Sequence, residues 1–124
     1  MIMKIDDNIL ELAVTQAHKS PMHYRHGAVI WKGKTILGTG YNFPASPPTV
    51  DKRRFSIHSE RDCLKGLRGD KIFNAELLCV RVTPGGAMGS SKPCRGCMKL
   101  LRRKGLKNVY WFNEEGKLKK TRLS

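Results

Sequence analysis

Two short motifs constrain this chain more than any other feature. They are His58-Ser59-Glu60 and, 33 positions beyond Glu60, Pro93-Cys94-Arg95-Gly96-Cys97. A proline just ahead of Cys94 and a glycine at 105 predict a helix from Pro93-Cys94 to Lys104. Cys94 and Cys97 stand three apart in its first turn, so both sulfurs can point at one atom. A second helix is predicted to open near His58 and end at Gly69, with Leu64 and Leu67 on its buried face. His58 can then supply an imidazole from the other side, provided the fold brings the two helix starts together.

The rest of the chain supplies a frame for that meeting. Asp6 and Asp7 can cap a first helix that runs to about Lys19, with Ile9, Leu10, Ala13 and Ala17 at helical spacing and Pro21 as its stop. Gly27 to Trp31 is a short apolar run, Lys32-Gly33-Lys34 a tight turn, and Thr35 to Tyr41 the returning strand of a hairpin. Phe43 to Ile57 holds Pro44, Pro47, Pro48 and the basic stretch Lys52-Arg53-Arg54, and reads as a loop. Loops of such length inside compact domains are often functional. Leu77 to Val82 alternates as a strand, and Thr83 to Lys92 is a glycine-rich loop. Val109 to Phe112 is a strand, Asn113 to Gly116 a turn, and Lys117 to Thr121 a last short strand. The order α-β-β-α-β-α-β-β predicts a mixed five-stranded sheet with helices packed on it, an α/β or α+β architecture ending in a hairpin.

The length of 124 residues suits one domain spanning 1–124, and a hydrophobic fraction of 40% is ordinary for a soluble domain with a core. No apolar run approaches the roughly 18 residues of a membrane span. The first residues lack the pattern of a signal peptide, so a cytoplasmic setting is the expectation. In a reducing compartment a close cysteine pair is more often metal-binding or redox-active than a disulfide. Cys63 and Cys79 fall inside the second helix and third strand and read as buried core thiols. The formal net charge is +14, and from Lys92 to Arg122 eleven Lys or Arg face only Glu114 and Glu115. That asymmetry suits a phosphate-bearing partner, nucleotide or polynucleotide, and also suits solubility alone.

H-x-E followed by P-C-x-x-C is the signature of zinc deaminases. Helix N-termini favour anions, which helps keep the Cys94 and Cys97 thiols ionised. Three protein ligands, His58, Cys94 and Cys97, leave the fourth tetrahedral position of Zn²⁺ for water, the mark of a catalytic site. Zinc lowers the pKa of that water to near neutrality. Glu60, two residues from His58, reads as a general acid/base and not as a ligand. A purely structural zinc module that binds RNA would have no use for that carboxylate, and would recruit a fourth Cys or His.

The sequence resembles the cytidine deaminase superfamily over most of its length. The resemblance rests on His23-Tyr24-Arg25-His26-Gly27-Ala28-Val29, Gly38-Thr39-Gly40-Tyr41-Asn42, His58-Ser59-Glu60-Arg61 and Pro93 to Cys97. Gly40-Tyr41-Asn42 also looks like deoxycytidylate and tRNA adenosine deaminases, whereas His58 to Arg61 looks more like the nucleoside enzymes. The resemblance implies a cytidine-deaminase-like fold and several substrate contacts. Asn42 matches the asparagine that hydrogen-bonds the sugar, and Tyr24 an aromatic that packs on the base. The backbone N–H near Ser59 would meet the pyrimidine carbonyl, and the carbonyl of Lys92 the amino group being replaced. Pro44 stands where nucleoside enzymes carry a glutamate for a sugar hydroxyl, so sugar recognition must differ. His26 and Arg25 replace the usual apolar residue and proline before the Gly-Ala; a charge there could meet phosphate or simply mark an exposed strand start. The stretch from Asn113 to Ser124 suits a hairpin, as in the nucleoside branch, and is short for the extra helix of the deoxycytidylate and tRNA types.

The leading expectation is therefore hydrolysis of cytosine to uracil in a pyrimidine nucleoside or nucleotide. The alternative is the same chemistry on single-stranded DNA or RNA, motivated by the Lys and Arg excess and by Phe43, Phe55 and Trp111 as stacking platforms. Relatives of this size commonly pair or form tetramers, which makes a homo-oligomer the expectation; no membrane partner is expected.

Overall fold

The computed structural model describes residues 5–44 and 56–124. Lys52-Arg53-Arg54 and Phe55 lie outside the described residues, so the expectations placed on them have no structural counterpart here. Chain order is α1 (Asp7–Lys19), β1 (Arg25–Lys32), β2 (Thr35–Tyr41), β3 (Phe43–Pro44), β4 (Ser56–Ile57), α2 (Ser59–Leu64), α3 (Gly69–Ile72), β5 (Glu76–Val82), β6 (Met88–Gly89), α4 (Arg95–Arg103), β7 (Asn108–Phe112) and β8 (Leu118–Arg122). No described helix is long and apolar enough to cross a membrane.

Five strands form the mixed sheet that the element order predicts, in the order β2-β1-β5-β7-β8. β1 pairs antiparallel with both β2 and β5, β5 pairs parallel with β7, and β7 pairs antiparallel with β8. The last pair is the expected C-terminal hairpin. Two details were not legible. The two-residue β6 inside the glycine-rich loop folds back on the end of β5, through Arg81↔Gly89 and Val82↔Met88. At the edges of the proline-rich loop, β3 and β4 pair as Phe43↔Ile57 and Pro44↔Ser56.

Side chains of the central strands divide between two cores by simple alternation. Ala28, Ile30, Leu77 and Cys79 join Cys63, Leu64 and Leu101 on the face covered by α2 and α4. Val29, Trp31, Leu78, Val80 and Val82 join Ile9, Ala13 and Ala17 on the face covered by α1. Burial on both faces is why β1 and β5 read as continuous apolar runs and not as alternating ones. The Asp6 carboxylate caps α1, accepting the Asn8 N–H at 2.8 Å.

The second helix is shorter than its apolar spacing suggests. It ends at Leu64, and Gly66 takes φ 77°, breaking the run before a separate turn, α3. Leu67 still packs against the core, so the periodicity reported burial correctly and helix length incorrectly. What seats α2 is the pair of glycines in β2. A Cβ on Gly40 would meet the Ser59 carbonyl oxygen at 2.7 Å, and one on Gly38 would meet the Cys63 carbonyl oxygen at 2.7 Å. The Asp62 carboxylate accepts the Tyr41 N–H at 3.1 Å and holds the register of helix on strand.

Gly40→Ala should therefore lift α2 off the sheet, lowering stability by about 1–3 kcal/mol, the usual range for overpacking. Gly69→Ala, where an added Cβ meets nothing within 4 Å, is the control and should change stability by less than about 0.5 kcal/mol. Urea titrations of the two variants check this; equal midpoints would remove the close-approach argument.

Candidate active site

Two helix starts converge as the motifs require. His58 is the N-cap of α2, and Cys94 is the N-cap of α4, where its sulfur accepts the Cys97 N–H at 3.4 Å. The His58 Nδ1 lies 3.3 Å from Cys97 Sγ and 3.6 Å from Cys94 Sγ. All three candidate ligand atoms fall within 4.8 Å of one another. Tetrahedral zinc with ordinary Zn–N and Zn–S bonds would separate nitrogen from sulfur by about 3.6 Å, so the donor set fits that ion.

Electrostatics point the same way. Cys97 is buried, and burial first and the Glu60 carboxylate second push its thiol well above the ordinary range. The start of α4 favours an anion at these sulfurs, while burial of Cys97 opposes one in the metal-free protein. A divalent cation among the three ligands supplies the missing positive charge.

Glu60 is 4% exposed in the first turn of α2. The Ser59 hydroxyl donates to its Oε1 at 2.9 Å. Cys79 is fully buried on β5. Burial first, and then the charge of Glu60, push its thiol well up, so it stays neutral. Cys79 is thus a core thiol as expected.

Above these groups lies a cavity of about 310 Å³. Its walls include Tyr24, His26, Asn42, His58, Ser59, Glu60, Lys92 and Cys94, so the structure gathers eight of the nine expected site residues around one space. The ninth, Cys97, lies behind the wall within reach of His58. Asn42 is buried, and its carboxamide is engaged: Oδ1 accepts the His26 N–H at 2.8 Å and Nδ2 donates to the Tyr24 carbonyl at 2.7 Å. It shapes the strand that carries Tyr24 and His26, with one donor hydrogen left over. Tyr24 is 60% exposed at the rim. Strand alternation separates Arg25, which is exposed, from His26, which lines the cavity. Burial holds the His26 pKa down; Glu60 raises it, while Arg81 and His58 lower it further.

Ser91 escaped sequence reading. Its hydroxyl donates to the Cys79 carbonyl at 2.8 Å and accepts the Phe112 N–H at 2.8 Å, and its own N–H donates to the Phe112 carbonyl at 2.9 Å. These bonds pin the start of α4 to β5 and β7. A serine in a glycine-rich loop carries no spacing signal for such a role. Trp111 packs on the core, donates to the Thr121 hydroxyl at 3.1 Å, and its ring lies 5.3 Å from the Lys92 ammonium, so it is committed to these contacts and is not a free stacking platform.

Residues 3–113 match the model of the cytidine and deoxycytidylate deaminase zinc-binding region, and the chain belongs to that family. Its cofactor is accordingly Zn²⁺, which the His58, Cys94 and Cys97 cluster suits. No curated protein matches the chain in sequence. Among solved structures, it is similar to cytidine deaminase from Burkholderia pseudomallei, with a TM-score of 0.70 at 18% identity over 97% of this chain and 94% of that one. Cytidine deaminase from Mycobacterium leprae gives 0.63 at 19% identity over 92% and 91%. The dCMP deaminase from the cyanophage S-TIM5 gives 0.58 at 24% identity over 88% and 86%. At these identities the likeness speaks for the fold.

Purified protein should carry about one zinc per chain, and Cys97→Ala should release it and lower thermal stability, since metal binding couples to folding. Metal analysis after gel filtration reads this directly; stoichiometric zinc in the variant would overturn the ligand set.

Proposed function

We propose that the protein hydrolyses the cytosine of a nucleoside or nucleotide to uracil, releasing ammonia. The observation that carries this reading is a buried carboxylate, Glu60, beside a three-ligand metal cluster on the wall of one cavity. Zinc held by His58, Cys94 and Cys97 would supply a positive charge that acidifies a water. Glu60 accepts a proton from the water that attacks C4 and delivers it to N3. It then moves the proton of the new C4 hydroxyl to the amino group, so that the C4–N bond breaks, ammonia leaves and the water oxygen stays on the ring as the C4 carbonyl. The Ser59 hydroxyl keeps the carboxylate aimed between water and base. The backbone N–H near Ser59 takes the pyrimidine carbonyl, the Lys92 carbonyl takes the amino group, and Tyr24 packs on the base. Asn42 has one free donor hydrogen for the sugar.

The placement of charge supports a small substrate. Of the eleven basic residues from Lys92 to Arg122, Lys92 is the one that lines the cavity. The others are exposed and outside the cavity lining.

Cytidine, deoxycytidine, their monophosphates and a cytosine-bearing single strand should be assayed for uracil. Turnover of one or more monomers, with a shallow dependence on salt, is expected. Efficient turnover confined to the strand and falling steeply as salt rises would overturn the reading, because polynucleotide binding releases counterions. Glu60→Ala should keep zinc and fold while losing at least about 10²–10⁴-fold in kcat; near-full activity would assign the proton transfers elsewhere.

A further inference from the structure

Arg81 is a cation that the proposed chemistry leaves unused. It lies on β5 two residues beyond Cys79, so it shares the face on which Cys79 joins the core beneath α2. Its cross-strand neighbour is His26, in register His26↔Arg81, next to the pair Ala28↔Cys79. Cross-strand neighbours on one face stand about 5 Å apart at Cβ, and His26 lines the cavity. The guanidinium carbon sits 5.4 Å from the centre of the Tyr24 ring at the cavity rim. On its other side is Gly89 of β6, where a Cβ would fall 2.5 Å from Nε and 2.8 Å from one terminal nitrogen. The guanidinium therefore occupies a slot between an aromatic ring and a bare backbone.

The Nε of Arg81 is buried and has no hydrogen-bond partner among the described residues. A buried donor of a charged group left unpaired costs on the order of 1–3 kcal/mol. Arg81 does not itself line the cavity, but its guanidinium stands against Tyr24 and beside His26, which do, so its terminal nitrogens are the ones in reach of an acceptor there. Guanidinium matches the planar, two-oxygen face of a phosphate. We propose that Arg81 is a substrate-binding residue that takes the phosphate of a pyrimidine nucleoside monophosphate, so that the phosphomonoester is preferred to the free nucleoside. This rests on the cytosine reading for the base end of the pocket only; the anion end stands on Arg81, His26, Tyr24 and Gly89.

Two measurements separate the claims. The first compares kcat and KM on CMP and dCMP with those on cytidine and deoxycytidine, for the intact protein, Arg81→Met, Arg81→Lys and Gly89→Ala. Arg81→Met should lower kcat/KM on the monophosphates by roughly 10–100-fold, the worth of a charge-assisted hydrogen bond. The loss should lie in KM, with nucleoside turnover within about threefold of the intact protein. Arg81→Lys should retain part of the preference, and Gly89→Ala, whose methyl displaces the guanidinium, should resemble Arg81→Met. Equal losses on nucleosides and monophosphates would make Arg81 a structural residue and overturn the proposal, as would an undiminished preference in Arg81→Met. The second measurement is calorimetric binding of UMP and of uridine, with inorganic phosphate as competitor. UMP should bind more tightly than uridine in the intact protein, and the difference should vanish in Arg81→Met. If no cytosine monomer is turned over, the parent reading fails while this binding difference still supports the subsite; equal UMP and uridine binding to the intact protein overturns the subsite itself.

Discussion

The seating of α2 on the edge of the sheet is the contact on which the site depends. Gly38 and Gly40 remove the two side chains that would hold the helix away, and the Asp62 carboxylate ties it to the Tyr41 amide. Once α2 lies that close, its N-cap and first turn stand over Ala28 and Cys79 at the middle of the sheet. His58 and Glu60 are those residues, so a backbone-to-backbone approach decides where the imidazole and the carboxylate can be. Ser91 does the corresponding work for α4, bonding at once to β5 and β7.

The convergence carries an electrostatic cost that explains its composition. A carboxylate and three thiols of Cys79, Cys94 and Cys97 meet near one imidazole, and burial pushes two of those thiols well above their ordinary range. Left as anions together they would repel and lose hydration. The arrangement divides the burden. Cys79, buried on a strand, stays protonated, while Cys94 and Cys97 sit at a helix start facing His58, where a divalent cation would balance them. The difference is set by position on strand or helix.

Positive charge is distributed in a way the composition did not suggest. The C-terminal excess decorates exposed surfaces of α4 and β8, leaving Lys92 on the cavity wall. The cation proposed to meet a small anion is Arg81, in the third long strand, beside the cavity residues Tyr24 and His26. A count of charges along the chain ranks it no higher than its neighbours; its position opposite His26 and against Gly89 distinguishes it.

The α/β class, the five strands and the hairpin ending were legible because each depends on local periodicity or on turn residues. The ligand triad and Glu60 were legible for a different reason: coordination and proton transfer demand particular residue types at particular spacings, and Pro93 with two cysteines three apart leaves few alternatives. The length of α2 was not legible, since Gly66 can continue a helix or break it and only the φ of 77° that it takes in the fold decides. Nor could spacing distinguish Arg25 from His26, or show that the Asn42 carboxamide is spent largely on backbone groups, or that the Ser59 hydroxyl bonds the Glu60 carboxylate. Each of those depends on which strand lies beside which, and pairings such as β1 with β5 join residues about 50 positions apart in the chain. Local chemistry therefore determined what the site contains, and long-range strand pairing alone decided what surrounds it.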